Sequence, residues 1–201
     1  LEASHGEIFA EMPGDSPETE LFVDSLYFDF VVSGLVDRIE QVFDLTVTNI
    51  DPRDESVPLG SLHRRVAEHG EIEPVGRSLT GQAFRQVGVG FLRELYERIV
   101  SREMRLALGE YYTPRGVAEL AVDSLASENI ADASLLDPGC GSGVFLSVCI
   151  ERKREAMADR APSEVVGTIT DSVIGVDLNP VAVRTSKLSY LLALAPLLGD
   201  D

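Results

Sequence analysis

The stretch Leu135-Leu136-Asp137-Pro138-Gly139-Cys140-Gly141-Ser142-Gly143-Val144-Phe145-Leu146 decides which fold the chain adopts. Two apolar residues lead into an acid, three alternating glycines make a turn, and an apolar segment follows. The order is strand, tight loop and helix start, with the Asp137 carboxylate at the C-terminal end of the strand. Ligands of open α/β sheets bind at that end. Glycines there turn the backbone sharply and leave no Cβ in the way of an approaching ligand. A purely structural strand-to-helix turn uses the same residues, and so does a nicotinamide or flavin site.

Two details count against a dinucleotide. Its pyrophosphate sits at the helix N-terminus, where the anionic Asp137 repels it. The glycines are also spaced G-x-G-x-G, without the last glycine of the fuller fingerprint. A ligand with a cationic amino group, such as S-adenosylmethionine, is instead attracted to Asp137.

Downstream, Ser172-Val173-Ile174-Gly175-Val176-Asp177-Leu178-Asn179-Pro180 reads as a short buried strand ending in an acid. Asn179 suits a helix N-cap and Pro180 the first helical position. Val181 to Leu192 then reads as an amphipathic helix. An acid ending the second strand suits hydrogen bonds to two ribose hydroxyls, as in nucleoside-binding α/β folds. Asp137 and Asp177 are 40 residues apart, against roughly 20 in the dinucleotide pattern. A long charged helix and a loop over residues 144–171 account for the excess.

Upstream, Gly109-Glu110-Tyr111-Tyr112-Thr113-Pro114-Arg115-Gly116-Val117-Ala118-Glu119-Leu120-Ala121 starts another helix, with Thr113 as N-cap and Pro114 at its first position. Val117, Leu120, Ala121, Ser124 and Leu125 share one face at helical spacing. Free amides and a hydroxyl at such a start make a place for a carboxylate; an ordinary capped helix has the same residues.

In this order, Gly-Glu-Tyr-Tyr-Thr-Pro, Asp-Pro-Gly-Cys-Gly-Ser-Gly-Val-Phe-Leu and Gly-Val-Asp-Leu-Asn-Pro resemble the first three motifs of adenine-specific DNA methyltransferases. The resemblance is to the modification subunits of type I restriction systems and the fused restriction-modification enzymes related to them. It covers residues 86–195, including Gly90-Phe91-Leu92-Arg93-Glu94-Leu95-Tyr96-Glu97, which is similar to the helix preceding the Tyr-Thr-Pro motif there.

The resemblance implies an α/β fold, the start of a Rossmann-like S-adenosylmethionine-dependent methyltransferase sheet preceded by a small helical module. It implies that Tyr112, Thr113 and Pro114 hold the methionine end of S-adenosylmethionine. Asp137 would lie near the amino group, with Gly139, Gly141 and Gly143 giving backbone clearance. Asp177 would take the ribose hydroxyls and Leu178 would pack on the adenine ring. The family usually has alanine where Gly139 stands.

The Asn-Pro-Pro-Tyr (or Phe) motif that grips the flipped adenine in this family is absent from these 201 residues, where Asn179-Pro180 is followed by Val181. No catalytic residue is therefore assigned. The expectation is an excised part of a longer protein of a restriction-modification or phage-defence system, inactive alone. Double-stranded DNA, and a specificity or restriction subunit, would be engaged through other sequence. A degenerate methyltransferase-like scaffold, or a methyltransferase acting on protein glutamine or RNA, would share the cofactor motifs.

Composition bounds the remaining choices. The net charge is −17, and neither half is basic: residues 1–105 carry 10 basic and 20 acidic groups, residues 106–201 carry 7 and 14. Phosphate binding needs lysine and arginine, so DNA contacts are not expected from bulk charge. Lys153 and Lys187 are the only lysines, against fifteen arginines. Acid enrichment with lysine depletion is the composition of a cytosolic protein adapted to high salt, which screens self-repulsion. The cluster Arg152, Lys153 and Arg154, between Glu151 and Glu155, reads as a solvated helix face. Cys140, Cys149, His5, His63 and His69 have no metal-ligand spacing. No run approaches the ~20 apolar residues of a membrane span, and no secretory leader is visible, so a cytoplasmic protein is expected.

Residues 1–20 are rich in Glu, Pro, Gly and Ser and are expected to be disordered. Residues 21–108 form the helical module and 109–201 the partial cofactor-binding domain. Within the module, Leu21 to Phe43 suits one long helix or two segments weakened at Gly34. Residues 44–80 read as loops with a short helix at 62–68. The chain becomes helical again from Thr80, with Leu92, Leu95, Tyr96, Ile99 and Val100 on one face and interruptions at Gly88 and Gly90.

Overall fold

The computed structural model describes residues 17–43, 46, 90–99, 102–107, 112–125 and 129–198. The expected loops of 44–80, save Thr46, and the helical onset at 80–89 lie outside these residues, as do residues 1–16. The chain runs α1 (Pro17–Phe43), α2 (Gly90–Ile99), α3 (Arg102–Ala107), α4 (Arg115–Leu125), β1 (Leu135–Asp137), α5 (Val144–Ala156), α6 (Pro162–Ser172), β2 (Val173–Gly175) and α7 (Pro180–Leu194), then a short 3-10 turn at Ala195–Leu197. It is mostly helical around a small parallel sheet.

α1 is one unbroken helix through Gly34, and it begins inside the stretch expected to be disordered. Phe28, Val31, Val32, Leu35, Val36 and Ile39 recur at helical spacing and are buried. They pack with Leu92 of α2 and with Val181 and Leu188 of α7. That packed face offsets the ~1 kcal/mol cost of a mid-helix glycine. A second core joins Ala118 and Val122 of α4, Leu146, Val148, Cys149 and Ile150 of α5, Val165 and Ile169 of α6, and Ala193 and Leu194 of α7. α7 thus contributes to both cores.

Leu135, Leu136 and Asp137 pair in parallel with Val173, Ile174 and Gly175. The pairing continues past the strands, where Val176 N donates to Asp137 O (2.9 Å) and Cys140 N to Val176 O (3.0 Å). Parallel strands need a crossover, and here it is two helices, α5 and α6, where one helix and a loop are expected from sequence. The Pro162 helix start, preceded by Ala161, carries no side-chain cap, and its local signals are Pro162 itself and Glu164 in the first turn.

The expected buried strand is corrected in two ways. Ser172 ends α6 and does not begin β2. Ile174 and Val176 are each 51% exposed and Leu136, in register with Ile174, is 66% exposed. α5 packs on the sheet, and no described element covers Leu136, Ile174 and Val176, so of the apolar residues along this stretch Val173 alone is buried.

Two helix faces also differ from expectation. α4 buries Ala118 and Val122, whereas Val117, Leu120 and Leu125 are exposed. The small Ala118 and Val122 let α4 approach α5. Bidentate ion pairs hold that contact: Arg115 with Glu151, and Arg152 with Asp123 at 2.7 and 3.2 Å. The expected solvated cluster on α5 is dismantled by its neighbours. Lys153 is fully buried, its Nζ donating to Ala131 O at 2.9 Å, and Arg154 Nη1 donates to Ala193 O at 3.1 Å. α5 lies between α4 and α7, and three consecutive side chains point in different directions around a helix, so the charges are distributed to different flanks. No described helix is long and apolar enough to cross a membrane.

Candidate functional site

The loops leaving β1 and β2 meet at the same end of the sheet. Gly141 and Gly143 adopt positive φ, 51° and 85°, the conformation that glycine enters without a Cβ penalty. Gly143 N closes a turn onto Cys140 O at 2.8 Å, and Gly143 O accepts from Ser147 N at 2.9 Å, starting α5. A Cβ on Gly143 would stand 3.1 Å from the Ser186 Cα, so the loop lies directly against α7. Gly139 faces open space.

The two strand-end carboxylates behave differently. Asp177 Oδ2 accepts from Gly141 N and its Oδ1 from Asn179 N, both at 2.8 Å. It ties the glycine loop to the loop after β2. Asp137 Oδ1 accepts from Gly139 N at 3.2 Å, while its Oδ2 is buried without a hydrogen-bond partner. A buried carboxylate oxygen left unsatisfied is costly and calls for a donor. A cationic amino group supplies one; a phosphate does not.

Asn179 caps α7 as expected, its Oδ1 accepting from Val181 N at 2.9 Å. The cap before α4 is displaced by one residue. Pro114 O accepts from Ala118 N at 3.2 Å, so Pro114 occupies the cap position and Thr113 precedes the helix. No bond from the Thr113 hydroxyl to the helix amides occurs among the described residues. Arg115 onwards supplies the helical residues, since Pro114 already has an extended predecessor to accommodate.

Of the expected site residues, Tyr112, Gly139, Gly141, Gly143, Asp137 and Asp177 converge around the glycine loop. Tyr112 reaches it directly: a Cβ on Gly141 would lie 3.7 Å from the Tyr112 Cε1. Thr113 and Pro114 follow on the same segment, Thr113 half-buried and Pro114 exposed. Leu178 is fully exposed beside Asp177, an apolar side chain with no protein partner to leave. Cys140 is buried and turned towards Gly175, where an added Cβ would meet its Sγ at 3.1 Å. Burial, first of all, pushes its thiol up. Sequence reasoning missed Arg93, whose Nη1 donates to Thr113 O at 3.1 Å. Its helical pair with Glu97 is readable from spacing; its reach across 20 residues is not.

Comparison with known proteins identifies the family. The family model described as N-6 DNA Methylase matches residues 90–193, more than half of the chain and all of the site. The chain is similar to the type I restriction enzyme MjaIX methylase subunit of Methanocaldococcus jannaschii, 31% identical over 84 residues. It is also similar to the adenine-specific methyltransferase PglX of Streptomyces coelicolor, 30% identical over 115 residues. These matches cover 42% and 53% of this chain but only 13% and 9% of those relatives. No solved structure matches the chain. With three motifs in order, converging on one loop, and a family match across them, the chain belongs to the N-6 DNA methylase family.

Proposed function

We propose that residues 109–201 bind S-adenosylmethionine for a DNA adenine N-6 methyltransferase of a restriction-modification or related phage-defence system. The observation that carries the reading is the pair of carboxylates flanking the glycine loop, with Asp137 Oδ2 buried and unpartnered. When bound, S-adenosylmethionine supplies an electrophilic methyl group for an exocyclic adenine amine. Asp137 Oδ2 would accept from the cofactor's amino group. Tyr112, Thr113 and Pro114 would flank its methionine end, and Gly139 and Gly141 would leave room beside it. Asp177 keeps lone pairs for the ribose hydroxyls after binding the Gly141 and Asn179 amides. Leu178 would cover one face of the adenine.

β1 and β2 would then be neighbouring strands of a Rossmann-like sheet, and the helices of residues 21–108 a module supporting it. Double-stranded DNA, and a specificity or restriction subunit, would be met by other parts of the protein. The relatives named as a methylase subunit and an adenine-specific methyltransferase support this reading.

Calorimetric titration of the chain with S-adenosylmethionine tests the proposal. Binding at one site is expected, and Asp177→Ala should weaken it several-fold or more, since charge-assisted hydrogen bonds are lost. A wild-type chain that takes up no cofactor leaves the degenerate-scaffold reading. With no Asn-Pro-Pro-Tyr motif among its 201 residues, the chain alone is expected not to methylate adenine in added DNA.

A further inference from the structure

The segment carrying Tyr112 and Thr113 is gripped by a charged cluster that belongs to none of the three motifs. Arg93 of α2 donates from Nη1 to Thr113 O and from Nε to Glu97 Oε1, both at 3.1 Å. The same Glu97 oxygen is 4.0 Å from Arg105 Nη1 of α3. The Arg105 guanidinium lies over the Tyr112 ring, 5.8 Å from its centre, within cation–π range. That ring is in turn the side chain that meets Gly141, whose amide is held by Asp177. A continuous line of contacts therefore runs from α2 and α3 through Tyr112 to the glycine loop.

The geometry suits positioning. The Arg93, Glu97 and Arg105 side chains are 27%, 27% and 16% exposed, so solvent screens them less than surface pairs. A guanidinium is a rigid planar fork, which lets Arg93 hold a carboxylate and a backbone carbonyl at fixed separation. Leu92, the residue before it, is fully buried in the core shared with α1 and α7, so the fork is mounted on an anchored helix.

We infer that Arg93, Glu97 and Arg105 are positioning residues that set Tyr112 and Thr113 against the glycine loop, so that the helical module shapes the cofactor cleft. The contact itself stands on the geometry; its effect on affinity rests on the S-adenosylmethionine reading. The test uses the whole isotope-labelled chain, with Arg93→Ala and Arg105→Ala compared with wild type. Both variants should move the Gly141 amide resonance without ligand, through the Tyr112 ring, and weaken S-adenosylmethionine binding about three- to ten-fold. Arg93→Lys, which keeps the charge and loses the fork, should restore binding only in part. Arg160→Ala, which removes ion pairs to Asp132 and Glu164 on another surface, should change neither readout. An unmoved Gly141 resonance with unchanged affinity in Arg93→Ala overturns the inference. Should that variant not fold, the same result in Arg93→Lys and Arg105→Gln overturns it. Resonances that move in a chain whose wild type binds no cofactor support the positioning and refute the cofactor reading.

Discussion

Gly139 lies in the glycine loop and Gly175 ends β2, and one added methyl group has opposite consequences at the two. Around Gly139 an added Cβ meets nothing within 4 Å and φ is not positive, so Gly139→Ala should leave stability unchanged and test ligand clearance alone. At Gly175 the same atom would stand 2.5 Å from Leu146 Cδ1 and 3.0 Å from Cys140 Cβ. Leu146 and Cys140 are themselves buried, so Gly175→Ala should cost roughly 1–3 kcal/mol by overpacking. Urea denaturation of the two variants measures the contrast, and equal midpoints would refute the packing account. Lys153 supplies a second case. Its ammonium is held below the ordinary lysine range, by burial first of all, yet it gives Ala131 O a donor at 2.9 Å. Lys153→Met should strand that carbonyl and destabilise by about 1–3 kcal/mol; an unaltered midpoint would mean that the stem's packing, which methionine keeps, is all that matters. Nothing in the Arg-Lys-Arg run distinguishes the residue that faces inward, because that depends on which neighbours flank α5.

At the scale of elements, the junction of α6, β2 and α7 depends on one hydroxyl. The one O–H of Tyr190 of α7 is shared between Ile169 O (3.0 Å) and Val173 O (3.2 Å), bridging the end of α6 and the start of β2. Burial pushes Tyr190 up to about 12 and, as the leading cause, Cys149 up to about 11. Both groups are neutral when protonated, and both release their protons more readily in the unfolded chain. Between the ordinary thiol and phenol ranges and these raised values, the unfolded state binds fewer protons, so stability falls as pH rises. Well below the ordinary thiol range these two groups contribute no pH dependence. Thermal melts from pH 8 upward should show the decline, and Tyr190→Phe should lower the melt at neutral pH while flattening part of the alkaline slope. An alkaline slope identical in Tyr190→Phe would remove the phenol from the account. The strand, loop and helix around Asp137 were legible because glycine, acid and apolar run each have a local signature. α6 was not, because its start lacks a capping side chain and Gly167 interrupts its pattern.

For the whole molecule, the charge of −17 sets the response to salt. Self-repulsion acts over a Debye length that shrinks from about 30 Å at 0.01 M to about 3 Å at 1 M. The part-exposed bridges Arg152–Glu155 and Arg160–Glu164 each contribute only ~0–1 kcal/mol, too little to reverse that trend. The melting temperature should therefore rise with sodium chloride across this range, and a fall would show that specific ion pairs outweigh net charge. The same composition is silent on DNA contact.

The sequence by itself determined the order of the glycine loop, its two acids and the Tyr-Thr-Pro segment, because tight turns and helix starts are local chemistry, and the family follows from the match over residues 90–193. Over residues 21–43 it left one long helix or two segments open, and the packing of α1 decided for one. The tertiary structure decided which partner each group meets: that Asp177 secures the Gly141 amide, that Asp137 keeps a buried oxygen open, and that Arg93 reaches Thr113. It also decided that Lys153 turns inward while Leu136 and Ile174 stay exposed. Those outcomes depend on what packs against each face, and packing between residues far apart in the chain leaves no local pattern.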